Sequence, residues 1–308
     1  MPSDFNAFRA AGRSEEISSR ATRFLVEWRF MQNDLRKDAA ARRVLLVAHR
    51  GAWGGDIPCN TLASYDIALG HGADMIEIDV DMTSDGRLVI FHPWMERPLL
   101  GFGDRIASHP WSFVKELRYQ NVDDCPTPFG ICTFEEVLDR FRGRCYLNVD
   151  KFWEHPAEIA AAIRARGMQD QCLVKTGPDP RVLGIIEEHA SDMPFLGIVR
   201  SEADCEAFAA RKIRLEGFET IFRTDDSPLA SPGFVERQHG AGRLLWANSI
   251  VYNFRDVIAG GRSDDRAMTG DPEGAWGWLA DRGFDFIQTD WLRDCAEFLA
   301  RTGRRTPA

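Results

Sequence analysis

The residues that could do chemistry begin with carboxylates placed two apart. In MIEIDVDM (75–82), Glu77, Asp79 and Asp81 alternate with Ile76, Ile78, Val80 and Met82. Successive side chains of a strand point to opposite faces, so one face here is acidic and the other apolar. Close carboxylates repel unless a proton or a cation intervenes. Oxygen-only ligands suit a hard divalent cation, Mg²⁺ or Ca²⁺, rather than a soft metal. The alternative is an ion pair with an arginine or lysine across the fold. Upstream, VLLVAH ends in His49 and Arg50 follows; downstream, RLVIFH ends in His92. Two imidazoles can serve as general base and general acid. Arg50 is a natural fork for phosphate oxygens. Two histidines, a cation held by acids and an arginine together point to phosphodiester cleavage.

A further run, CYLNVD (145–150), places Asn148 and Asp150 on one face. Asp150 is the third expected metal ligand. Lys151, next along, points away from that face on a regular strand and needs a local twist to reach phosphate. Lys175, on the following run, is the other candidate for that positive charge. Either lysine can instead be solvated or ion-paired. Asp81 extends the acidic face above the metal and has no assigned role. The acids of the polar loop GGRSDDRAMTGD (260–271) are expected to solvate a lid.

These residues need elements that bring them to one place. From residue 44, short β-rich runs alternate with helical segments. The runs are 44–49, 75–80, 145–150, 172–176, 195–199, 218–222, 244–248 and 286–290. Eight strands with helical crossovers predict a parallel (β/α)₈ TIM barrel, whose chemistry sits at the C-terminal ends of the strands. RLVIFH (87–92) lies too close to the second strand for a helical crossover. Asp85–Gly86 between the two runs signals a two-residue β-hairpin after strand 2. That register puts Asp79 directly opposite His92, side chains on the same face. Residues 93–132 form a long irregular connection, a small insertion at the C-terminal face. Residues 44–308 are expected to form the barrel domain. Residues 1–43 form an N-terminal helical extension, with an amphipathic helix over 14–33 that packs on the barrel or makes a dimer contact.

Composition narrows the partners. The net charge of −9 disfavours a nucleic-acid partner. No apolar run approaches the roughly 18 residues of a membrane span. The N-terminus lacks the charged-then-apolar order of a signal peptide. Seven cysteines without CxxC spacing argue against disulfides and a structural zinc site. A soluble, cytoplasmic protein is expected; its oligomeric state is not legible.

The block HRGAWGGDIPCNTLASYDIALGHGADMIEIDVDMTSDGRLVIFHP (49–93) resembles the glycerophosphodiester phosphodiesterase signature. TFEEVL, the strand with Asp150, and GFDFIQTDW are also similar to that family. The resemblance implies a (β/α)₈ barrel and metal-dependent hydrolysis of small-molecule glycerophosphodiesters to glycerol 3-phosphate and an alcohol. It implies His49 and His92 as the acid–base pair and Glu77, Asp79 and Asp150 as ligands of Mg²⁺ or Ca²⁺. Arg50 would hold phosphate, with Lys151 or Lys175, and Asn60 would support the site. Four positions depart from the pattern: Cys59 stands for the Glu before Asn60, Pro93 for the Asp after His92, Asp150 for the common Glu, and Phe152 for the usual Lys, with Lys151 directly after Asp150. Two rival readings are cleavage of lysophospholipids or another phosphodiester on the same barrel, and a non-catalytic binding barrel.

Overall fold

The computed structural model describes residues 34–252 and 256–307. The helix expected over 14–33 lies outside them. Eight parallel strands close into a barrel: β1 (Leu45–Ala48), β2 (Met75–Met82), β6 (Tyr146–Asp150), β7 (Cys172–Thr176), β8 (Pro194–Val199), β9 (Arg214–Thr220), β10 (Leu244–Asn248) and β13 (Phe286–Thr289). Each pairs with the next, and β13 pairs with β1 to shut the ring. The remaining strands are β3 (Leu88–Ile90), the antiparallel pair β4 (Arg118–Gln120) and β5 (Pro126–Gly130), and the short pair β11 (Val251–Tyr252) and β12 (Asp256–Val257).

The period-2 pattern sorts the side chains. Ile76, Ile78 and Val80 join the core between sheet and helices. Leu45, Val47, Met75, Tyr146, Leu173, Leu196, Trp246 and Phe286 fill the other face, inside the barrel. A helix at Leu35–Arg42 adds Leu35 and Ala39 to that inner cluster. It is fastened by Arg36 to Glu216 (2.7 Å) and by the Tyr146 hydroxyl donating to Asp38 (2.7 Å). So the described end of the expected extension packs against the barrel.

Two details differ from the sequence reading. β9 starts at Arg214, not near 218. Phe195 pairs with Leu215 and Leu196 with Gly217, so Glu216 is an extra residue in a bulge. A Cβ on Gly217 would meet the Leu244 carbonyl oxygen at 1.8 Å, so only glycine fits. The second correction concerns the turn between β2 and β3. Val80 pairs with Ile90 and Met82 with Leu88, which makes a three-residue loop, Ser84–Gly86. Gly86 alone is left-handed (φ 82°), whereas a two-residue type I′ turn needs two such residues. The Thr83 hydroxyl closes the wider loop, donating to Asp85 (2.6 Å) and accepting from the Arg87 amide (3.0 Å). Asp79 therefore faces Phe91, whose amide donates to its carbonyl (3.0 Å), and not His92.

The insertion has its own small core of Val89, Phe91, Leu100, Ile106, Val114, Tyr119 and Ile131. Asp85 pins it to the turn by accepting from the Trp111 amide at 2.9 Å.

Candidate active site

Strand β1 ends at Ala48, and the next three residues build the first wall of the site. Arg50 and Gly51 are both left-handed (φ 58° and 89°). A Cβ on Gly51 would lie 2.6 Å from the Ser64 hydroxyl, so glycine alone lets the turn rest on the following helix, Leu62–Gly70. Thr61 and Ser64 cap that helix reciprocally. The turn aims the Arg50 amide at Glu77 Oε2 (3.0 Å) and its guanidinium Nε at Asp79 Oδ2 (3.1 Å).

Glu77, Asp79 and Asp150 come together as their strands pair, Asp79 beside Asp150. Each offers an oxygen within 4.8 Å of the others. Asp79 is fully buried and accepts from Lys151 Nζ (2.6 Å) and Asn60 Nδ2 (2.8 Å) besides its contact with Arg50. Burial works against its charge, but Lys151 and Arg50 more than reverse that and hold its pKa down at about 2. Glu77 goes the other way. Burial, and next the charge of Asp79, raise it to about 7. Acids crowded this closely raise one another's proton affinity unless a cation balances their charge, and three hard oxygen donors suit a divalent ion. The residues present therefore fit a metal.

Lys151 reaches the site because it breaks the strand. Its φ of 57° is left-handed, which ends β6 and turns the side chain inward. Nζ then bridges Asp79 and Asp150 (2.8 Å). Burial would lower its pKa, but the two carboxylates raise it, so the lysine stays charged. Lys175 is held by a different acid. Its ammonium pairs with Glu219 at 2.5 Å, over the Trp246 ring, and Glu219 also accepts from Asn248. Asn60 is buried, with Oδ1 accepting from the Tyr65 hydroxyl (2.8 Å), which fixes Nδ2 toward Asp79.

The histidines differ in their second nitrogen. His49 Nδ1 is 2.9 Å from the carboxylate of Asp290, just past β13. Burial would lower its pKa, but the hydrogen bond it donates to Asp290 and the charge of Glu77 raise it. His92 Nδ1 donates to the Pro93 carbonyl (2.7 Å). Burial lowers its pKa, and the nearby Lys151 and Arg50 charges add to that against Asp79. Asp290 was not among the residues marked in the sequence. The signal is topological: a barrel closes first strand on last, so an acid ending the eighth strand meets a histidine ending the first. Asp81 lies 3.6 Å from both Arg105 and His155. Arg105 also pairs with Glu96 (2.8 Å) and stacks on Trp94 at 3.8 Å. Asp81 thus ties the insertion to β2.

Residues 49–290 match the glycerophosphoryl diester phosphodiesterase family. The chain belongs to that family. A glycerophosphodiester phosphodiesterase of Bacillus subtilis is 37% identical over 109 residues, 32% of this chain and 36% of the relative. One of Caldanaerobacter subterraneus is 46% identical over 91 residues, 29% of this chain and 33% of the relative. The chain thus spans about a third of the length of these curated relatives. Among solved structures, a glycerophosphoryl diester phosphodiesterase from Parabacteroides distasonis shares the fold with a TM-score of 0.72 at 18% identity, covering 89% of this chain and 93% of that one. A phosphodiesterase from Oleispira antarctica, in complex with the product sn-glycerol 3-phosphate, does so at 0.58 and 20% identity, covering 83% and 96%.

Proposed function

We propose that the chain hydrolyses glycerophosphodiesters to glycerol 3-phosphate and an alcohol. The observation that carries this reading is the meeting of three carboxylates, Glu77, Asp79 and Asp150, with Arg50 and Lys151 on the same cluster. Mg²⁺ or Ca²⁺ held by these acids would supply Lewis-acid polarisation of the phosphoryl oxygens. Arg50 and Lys151 add fixed positive charge to orient the phosphate.

The hydrogen bonds of the histidines suggest their roles. In neutral His92, Nδ1 carries its hydrogen to a carbonyl, so Nε2 keeps its lone pair and acts as base. In His49 the Asp290 carboxylate favours the imidazolium, so Nε2 holds a proton to give. His92 removes the proton of the glycerol 2-hydroxyl as its oxygen bonds to phosphorus. The bond from phosphorus to the alcohol breaks, and His49 protonates the departing oxygen. In the second step His49 takes a proton from water, whose oxygen attacks the cyclic phosphate. His92 returns its proton to the glycerol oxygen.

The test is turnover of glycerophosphocholine with and without a chelator, with Mg²⁺ or Ca²⁺ added back. Activity that resists chelation, or near-normal turnover by both His49→Ala and His92→Ala, would refute the reading. A second reading, cleavage of lysophospholipids, draws on apolar side chains around the mouth. Trp94 is 76% exposed and Val122 92%. Lysophosphatidylcholine cleaved faster than glycerophosphocholine would favour it. Among the described residues no helix is long and apolar enough to cross a membrane. The seven cysteines are all free, which supports a cytoplasmic setting.

A further inference from the structure

We propose that Asp264 is a positioning residue for His49, acting through Asp290. The inference rests on the reading of His49 as the proton donor. Asp264 belongs to the loop whose acids were expected to face solvent, yet it is 3% exposed. Its carboxylate accepts four hydrogen bonds, all from neutral groups. Oδ1 takes the Ser249 hydroxyl (2.6 Å), the Trp276 indole (2.7 Å) and the Thr289 hydroxyl (2.8 Å); Oδ2 takes the backbone amide of Asp290 (2.8 Å). The Asp264 amide in turn donates to the Ser249 carbonyl at 2.7 Å.

A buried carboxylate held by neutral donors is a costly way to fill a core. What this one gains is control of the end of β13. Thr289 and Asp290 are its partners, and the Trp291 amide donates back to the Thr289 hydroxyl (2.9 Å). Three consecutive residues are thereby fixed at the point where the strand ends. Asp290 itself is partly open, with 28% of its side chain accessible. Its carboxylate meets His49 Nδ1 because its backbone is clamped from behind. The order is therefore Asp264, the Asp290 amide, the Asp290 carboxylate, His49. Hydrogen-bonded networks of this kind act as units, and removing one member removes the function of the next.

A double-mutant cycle on the full-length, metal-loaded enzyme tests this with glycerophosphocholine as substrate. Asp264→Asn replaces one acceptor by a donor at constant shape. It is expected to lower kcat about tenfold, the range found when the support of an active-site ligand is lost, with KM little changed. It should also move the alkaline limb of the kcat profile to lower pH, as Asp290→Asn does. Combined with Asp290→Asn it should cost nothing further. Multiplicative losses in the double variant, or an Asp264→Asn profile with an unmoved alkaline limb, would overturn the proposal. If Asp264→Asn does not fold, Thr289→Val removes a donor from the same clamp and is expected to shift the same limb. The His49 imidazole resonances, followed by NMR against pH in the metal-free chain, give a readout independent of turnover: both single variants should lower its titration. If Asp290→Asn itself changes neither kcat nor the profile, the role of His49 is wrong. If only Asp264→Asn is silent, this inference alone is wrong.

Discussion

At the N-terminal end of the barrel, Glu216 sits between Arg36 (2.7 Å) and Arg214 (2.9 Å), and Asp74 between Arg42 (3.2 Å) and Arg305 (2.8 Å). At the C-terminal end, Glu77, Asp79 and Asp150 share one arginine and one lysine. Both ends bury acids. One end gives each acid two guanidinium groups, and its charge is balanced within the protein. The other leaves three acids short of positive charge, and burial and the charge of Asp79 raise the pKa of Glu77. Left-handed backbone at non-glycine residues is concentrated at the open end: among the described residues Arg50, Asn60, Trp94 and Lys151 adopt positive φ at the active-site rim, against Arg43 at the closed end. Left-handed, non-glycine residues cost energy and persist where the surroundings over-determine them. The closed end is arranged for stability, the open end for a ligand that the chain does not itself supply.

Substitutions at the two ends should therefore separate activity from stability. The largest effect is expected for His49→Ala and His92→Ala, a loss of about 10²–10⁴-fold in kcat, the usual worth of a positioned acid or base. Both should keep a wild-type melting temperature. Next is Glu77→Gln. It should abolish metal-stimulated turnover while leaving the metal-free melting temperature unchanged or higher, because a neutral amide is easier to bury beside Asp79 than a carboxylate. A clear drop in metal-free stability would break the contrast. Glu216→Ala should do the reverse, leaving kcat intact and lowering unfolding free energy in urea. About 1–2 kcal/mol is expected, less than the ~3–5 kcal/mol of a fully buried pair because Arg36 and Arg214 are partly solvated. The lysines give a finer version: Lys151→Met should reduce kcat, whereas Lys175→Met should mainly reduce stability.

The smallest effect is in the pH profile. Burial draws the pKa of His92 below the ordinary histidine value, whereas Asp290 and Glu77 outweigh burial and hold that of His49 above it. In the proposed mechanism the competent form has His92 neutral and His49 protonated. It gains population as pH rises through the lowered pKa of His92 and loses it as pH passes the raised pKa of His49. A plateau spanning the ordinary histidine range is expected, and Asp290→Asn should narrow it from the alkaline side. An alkaline limb unchanged in that variant would show that Asp290 does not set the proton affinity of His49.

What was legible in the sequence follows from the range of the interactions. Glu77 and Asp79 share a face by strand periodicity alone, and the barrel then brings Asp150 alongside. The hairpin register was not legible, because Asp-Gly suits both two- and three-residue loops, and the Thr83 side chain decides between them. Lys151 was ambiguous because its direction depends on a left-handed φ that lysine rarely adopts. The start of β9 was hidden by Glu216 and Gly217, residues that weaken a strand signal and here mark a bulge. The partner of His49 lies 241 positions away, beyond any local pattern.

That separation also governs when the protein acquires its chemistry. The carboxylates proposed to hold the metal all lie in the first half of the chain, while Asp290, the partner of His49, arrives with the last strand. A chain lacking its last strand contains all three acids and both histidines but not the carboxylate that meets His49. The His49–Asp290 pair thus forms only when the seam between β1 and β13 closes, so the pH range of the proposed turnover depends on completing the barrel.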